Sequence, residues 1–91
     1  MPTRILIPAA LRRFTSDQNS VEVEAGTVDE ALQALTARFK PLEIHLFQDG
    51  KLRSFVNVFV NDEDIRHLQK GATVLKASDT LSIVPSIAGG R

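Results

Sequence analysis

Only one stretch of this chain carries the pattern of an amphipathic helix; the other apolar runs are short and rich in β-formers. Gly26-Thr27-Val28-Asp29-Glu30 is a helix start. Thr27 can cap the backbone N–H three residues on, and Glu30 can reach back to the N–H of Thr27. Val28, Ala31, Leu32, Leu35 and Phe39 follow at i, i+3, i+4, i+7 and i+11, an apolar stripe along one side. Pro41 stops the helix, because the residue before a proline avoids helical angles. One helix cannot cover both faces of a sheet. The chain is therefore held to an α+β arrangement, with the helix across one face and the other face open to water or to a partner.

The strands are read from composition and alternation. Thr3 to Ala9 contains Ile5-Leu6-Ile7 and reads as a strand, with Pro8 limiting its ladder. Leu11 to Asn19 turns polar and reads as a loop. Ser20 to Ala25 alternates polar and apolar residues and is the expected hairpin partner of the first strand. Residues 42–53 hold Ile44, Leu46 and Phe47 and a turn at Asp49-Gly50, and fit either a short helix or an irregular loop. Ser54 to Asn61 reads as a strand, Glu63 to His67 as a short fourth one around Ile65, and Asp79 to Val84 as the last. Leu68 to Ser78 connects them. The first and last strands are expected to pair as central neighbours, so that the C-terminal segment projects from the sheet.

Composition narrows the function classes. The 91 residues suit one domain, and apolar and charged fractions of 43% and 24% are those of an ordinary soluble protein. Eleven basic residues balance eleven acidic ones, so no net field favours nucleic acid or an anionic membrane. No apolar run approaches the ~20 residues of a membrane span, and Met1-Pro2-Thr3-Arg4 does not read as a secretion signal. A cytoplasmic location is expected. Cysteine is absent, which removes disulfides, thiolate metal sites and a thiol nucleophile. His45 and His67 have no ligand-spaced companions, and Asn61-Asp62-Glu63-Asp64 lacks the spacing of a calcium loop, so no metal site is expected. Arg4, Arg12 and Arg13 form a modest basic group that reads as solvated surface or as steering for an acidic partner.

The remaining feature is Val84-Pro85-Ser86-Ile87-Ala88-Gly89-Gly90-Arg91. At an average glycine usage of roughly 7%, a given adjacent pair arises by chance about half a per cent of the time. Either it is a frayed end, or it has a use. On the third strand, Val56, Val58 and Val60 share one face, and Phe55, Asn57 and Phe59 the other. With the valines assigned to the core, Phe59 joins Leu6 and Val84 on the open face. Such an exposed patch either docks a partner or is covered by the middle segment.

A β-hairpin, a capped helix, two further strands and a last strand running into Gly-Gly resemble the ubiquitin-like β-grasp sulfur carriers of the MoaD/ThiS type. The resemblance rests on the stretch from Phe55 to Arg66 (FVNVFVNDEDIR) and on that from Asp79 to Gly90 (DTLSIVPSIAGG), with Ile7-Pro8 and Leu11-Arg12 as a weaker match. The first stretch looks most like the carrier that serves cysteine synthesis. The resemblance implies a β-grasp domain over residues 1–91, with a mixed sheet of about five strands, one main helix and residues 86–91 as a flexible tail. It implies adenylation of the Gly90 carboxylate by an ATP-dependent activating enzyme, conversion to a thiocarboxylate, and delivery of the sulfur to an accepting synthase. Ile87, Ala88 and Gly89 would enter the partner's active site, and Leu6, Phe59 and Val84 would form the docking face. The carrier itself would need no cofactor, no metal and no catalytic residue, and would not be an enzyme.

One departure matters: the family works with its second glycine as the C-terminus, whereas Arg91 follows Gly90 here. The expectation is that a peptidase, of metallopeptidase type, cuts between Gly90 and Arg91. Two other readings use the same tail: the small subunit of molybdopterin synthase, and a ubiquitin-like modifier joined to lysines through Gly90.

Overall fold

The computed structural model describes residues 2–53, 55–76 and 78–85. Pro2–Leu6 forms β1 and Ser20–Glu24 forms β2, an antiparallel pair in which Ile5 lies opposite Val21 and Thr3 opposite Val23. These four are buried, whereas Arg4, Leu6, Glu22 and Glu24 are exposed, as the period of two requires. β1 is shorter than the Thr3–Ala9 strand expected. The Ile7 N–H still donates to the Asn19 carbonyl at 2.9 Å, after which Pro8 ends the pairing. Ala9–Phe14 then winds into a 3-10 helix, where residues from Leu11 onward read as loop. Leu11 sets this turn: its N–H donates to the Pro8 carbonyl at 2.9 Å and its side chain is buried.

Helix α1 spans Val28–Arg38 and buries Val28, Ala31, Leu32 and Leu35. Thr27 Oγ1 accepts the Glu30 N–H at 3.2 Å, as its position as cap predicts. Glu30 Oε1, however, accepts the N–H of Gly26 at 2.8 Å rather than that of Thr27. Gly26 makes room for it: a Cβ at that position would stand 3.3 Å from Oε1. The helix start is also tied to the connector. Val28 N–H donates to the Thr73 carbonyl at 3.1 Å, and Leu75 N–H to the Gly26 carbonyl at 2.8 Å.

After Pro41, Glu43–Leu46 forms a short helix, α2, one of the two alternatives open for this segment. A hairpin follows, with β3 at Phe47–Gln48 and β4 at Lys51–Leu52. Its turn holds Asp49 at φ 55° and Gly50 at φ 79°. Two successive left-handed residues are what a tight hairpin turn of matching twist needs.

Val56–Val60 forms β5, Glu63–Asp64 forms β6 and Thr80–Pro85 forms β7. The expected fourth strand, Glu63 to His67, stops at Asp64. There the Asp64 carboxylate accepts the Arg66 N–H at 2.8 Å and caps a 3-10 helix, Ile65–His67, that turns Ile65 into the core. The main sheet has the order β2-β1-β7-β5-β6, with β1 and β7 parallel and the other pairs antiparallel. The buried face of α1 joins Ile5, Val21, Val58, Leu81 and Ile83 in one apolar cluster. A five-stranded mixed sheet with one main helix on one face is the ubiquitin-like β-grasp.

Candidate functional site

Parallel pairing of β1 with β7 matches Leu6 with Ser82, so the two strands leave the sheet at the same end. β7 finishes at Pro85, opposite Val56, beside the turn that Ile7 and Pro8 begin. Ser86 to Arg91, including Ile87, Ala88, Gly89 and Gly90, lie outside the described residues.

The face opposite α1 carries Leu6, Ser82 and Phe59 in one row across β1, β7 and β5, with Val84 further along β7 opposite Asn57. Leu6 is 41% exposed and Val84 46%, while Phe59 is half-buried. The three residues expected on the open face are therefore there. They are not equivalent. Leu6 and Val84 line a groove of about 860 Å³ at the end of the sheet where β7 finishes, together with Pro8, Ile44, Arg53 and Phe55; Phe59 lies outside it.

The middle segment thus flanks the open face rather than covering it, since Leu6 and Val84 stay exposed. Arg53 holds this wall in place. Its N–H donates to the Leu46 carbonyl and its Nε to the Ile44 carbonyl, both at 2.9 Å, and its guanidinium lies 5.9 Å from the centre of the Phe55 ring. Ile44 is left 67% exposed at the rim. His45 stacks on Phe14 with ring centres 4.3 Å apart and also lines the groove. Sequence reasoning missed Ile44 and Arg53 as wall residues; the only sign was an apolar residue in a segment without assigned structure.

The basic group does not act as one patch. Arg12 Nε donates to the Ile7 carbonyl at 3.1 Å, Arg13 lies over the Phe14 ring, and Arg4 sits opposite Glu22 on β2. Asn61 and Asp62 form the expected turn. Among the described residues no group of three His, Cys, Asp or Glu is placed to hold a metal ion. Nor is any helix among them long and apolar enough to cross a membrane.

Asp64 is the most perturbed carboxylate here. Hydrogen bonds from the Arg66 side chain and backbone hold its pKa at about 2, below the ordinary 3.8. A depressed carboxylate stabilises the fold above its unfolded pKa, and that contribution is lost as pH falls through the folded value. Asp64→Asn should therefore melt earlier than the natural chain at neutral pH, and the gap should close between about pH 4 and pH 2. Thermal melts across that range check this.

Residues 5–90 match the model of the ThiS family. The chain belongs to the ThiS family. The family match reaches Gly90 and leaves Arg91 outside it. The sulfur carrier protein CysO of Mycobacterium tuberculosis is 36% identical over 93 residues, covering 99% of this chain and 100% of that protein. Small archaeal modifier protein 3 of Haloferax volcanii is 38% identical over 64 residues, 70% of each chain. The crystal structure of the Amycolatopsis orientalis BexX/CysO complex contains a chain that superimposes with a TM-score of 0.88 at 38% identity, covering 97% of this chain and 99% of that one. Similarity thus reaches both a protein named as a sulfur carrier and one named as a modifier.

Proposed function

We propose that this chain is a sulfur carrier acting through the carboxylate of Gly90. The observation that carries the reading is the ThiS family match running to Gly90, joined to full-length similarity to a protein named as a sulfur carrier. A terminal carboxylate has a pKa of ~3.3–3.7 and is ionised and inert to nucleophiles at neutral pH. Its oxygen attacks the α-phosphorus of ATP on the activating enzyme, releasing pyrophosphate and leaving an acyl-adenylate. Hydrosulfide then attacks the carbonyl carbon, AMP leaves with the electron pair of the broken acyl–oxygen bond, and loss of the sulfur-bound proton leaves a thiocarboxylate. That anion is nucleophilic enough to attack an electrophilic substrate on the accepting synthase, which serves cysteine or a related small metabolite.

These steps ask of the carrier only a carboxylate on a narrow arm. Gly89 and Gly90 suit it, because without Cβ they pass where space is tight. Ile87 and Ala88 give the arm an apolar grip. The groove between Leu6, Ile44 and Val84 supports the rest: it offers the activating enzyme an apolar footing beside the end of β7. The bond from Gly90 to Arg91 must first be cut by a peptidase, since a glycine in a peptide bond has no carboxylate to activate.

The similarity to an archaeal modifier protein favours one second reading, in which Gly90 is joined to lysine amines of other proteins. Both readings pass through the same adenylate. Incubating the Gly90-ending chain with an activating enzyme of the family, ATP and a sulfide source separates them. Carrier chemistry predicts a mass gain of one sulfur replacing one oxygen. Absence of that gain, with lysine-linked adducts instead, would favour the modifier.

A further inference from the structure

The α1 side of the sheet holds a second groove, of about 440 Å³, lined by β5, by Asp64, Ile65 and Arg66 and by the β3–β4 hairpin. Its floor is apolar: Val56, Val58 and Ile65 are buried there, and the half-buried Phe47 and Leu52 offer the accessible apolar surface. Its rim gathers Lys51, Arg53, Arg66 and Lys70, four of the eleven cations of a chain that is neutral overall. Only two carboxylates line it, Asp29 and Asp64. Asp64 is already engaged: Arg66 Nη2 meets its Oδ2 at 2.7 Å. Lys51 and Lys70 are exposed, and among the described residues neither has an ion-pair partner.

Lys70 adds a conformational observation. It sits at φ 53°, one of five non-glycine residues in the left-handed region among the described residues, beside Gly71, where a Cβ would run into the Asp29 carboxylate.

We infer that this groove docks an acidic, amphipathic segment of a protein partner, with apolar side chains against Phe47 and Leu52 and carboxylates against Lys51 and Lys70. Charge complementarity selects the occupant: the floor rewards apolar side chains, and the unpaired rim charges reward carboxylates. The two grooves share only Arg53, and Leu6 and Val84 lie on the opposite face of the sheet, so a segment bound here leaves them and the end of β7 uncovered. One protein can hold the chain by this flank while another works on its C-terminal end. Nothing in this docking requires the chain to carry sulfur.

The test is a titration of the isotope-labelled full chain with an end-blocked peptide of sequence Glu-Glu-Leu-Leu-Asp-Glu, followed by amide chemical shifts. Binding should perturb Lys51, Val58, Ile65 and Gly71 and weaken with added salt. The double substitution Lys51→Glu with Lys70→Glu should weaken it at least about tenfold at unchanged thermal melting. If that variant melts early, Lys51→Thr, suited to an exposed strand, with Lys70→Asn, suited to a left-handed residue, carries the same expectation. Perturbations centred on Leu6 and Val84, none at all, or an affinity indifferent to the lysines would overturn the proposal. So would equal binding by a peptide with serines in place of its leucines.

Discussion

Offered to the activating enzyme with ATP, the chain that retains Arg91 should form no acyl-adenylate, whereas the chain ending at Gly90 should form it readily. On the proposed reading the effect is all-or-none, because the carboxylate that attacks ATP is that of Gly90 and a peptide bond to Arg91 removes it. The arginine also brings a long cationic side chain to a position where two glycines keep the arm narrow. Pyrophosphate release, followed alongside intact mass, reads the result. Equal activation with Arg91 still attached by mass would sink the requirement for trimming.

The second large effect is expected on the open face. Val84→Asp places a charge in the wall of the apolar groove beside the end of β7, at a residue 46% exposed and therefore of small weight in the core. Loss of a central apolar anchor at an interface weakens binding by about 2 kcal/mol or more, roughly thirtyfold. Binding to the activating enzyme should fall by about that factor, with little change in melting temperature. Phe59→Asp should behave differently, because Phe59 is half-buried and lies outside the groove: a smaller loss of binding and a larger loss of stability. Full binding by the folded Val84→Asp protein would place the footing of the partner elsewhere.

The elements that were legible in the sequence are those whose pattern is enforced by burial on one side. The α1 stripe, the alternation of β2 and the three core valines of β5 each follow a period that only one secondary structure satisfies. Their assembly was legible as well: a single helix forces an α+β arrangement, and the first and last strands do pair at the centre of the sheet. What escaped was structure set by single backbone events. Pro8 and Leu11 turn a polar-looking stretch into a 3-10 helix, Asp64 stops a strand by capping the residues after it, and the strands on either side of the expected Asp49-Gly50 turn are too short to show alternation. The site divides in the same way. Leu6, Phe59 and Val84 could be placed on the open face by counting residues along strands. Ile44 and Arg53 could not, since they reach the groove through a carbonyl contact at nine residues' separation that no periodicity encodes.

The central claim is that Gly90 ends the working protein and carries sulfur there. The most direct measurement is the intact mass of the protein purified from its own cells without reducing or alkylating treatment. The account predicts a chain whose C-terminal residue is Gly90, with a fraction heavier by the replacement of one oxygen by sulfur. A population that keeps Arg91 and shows no terminal sulfur would contradict it.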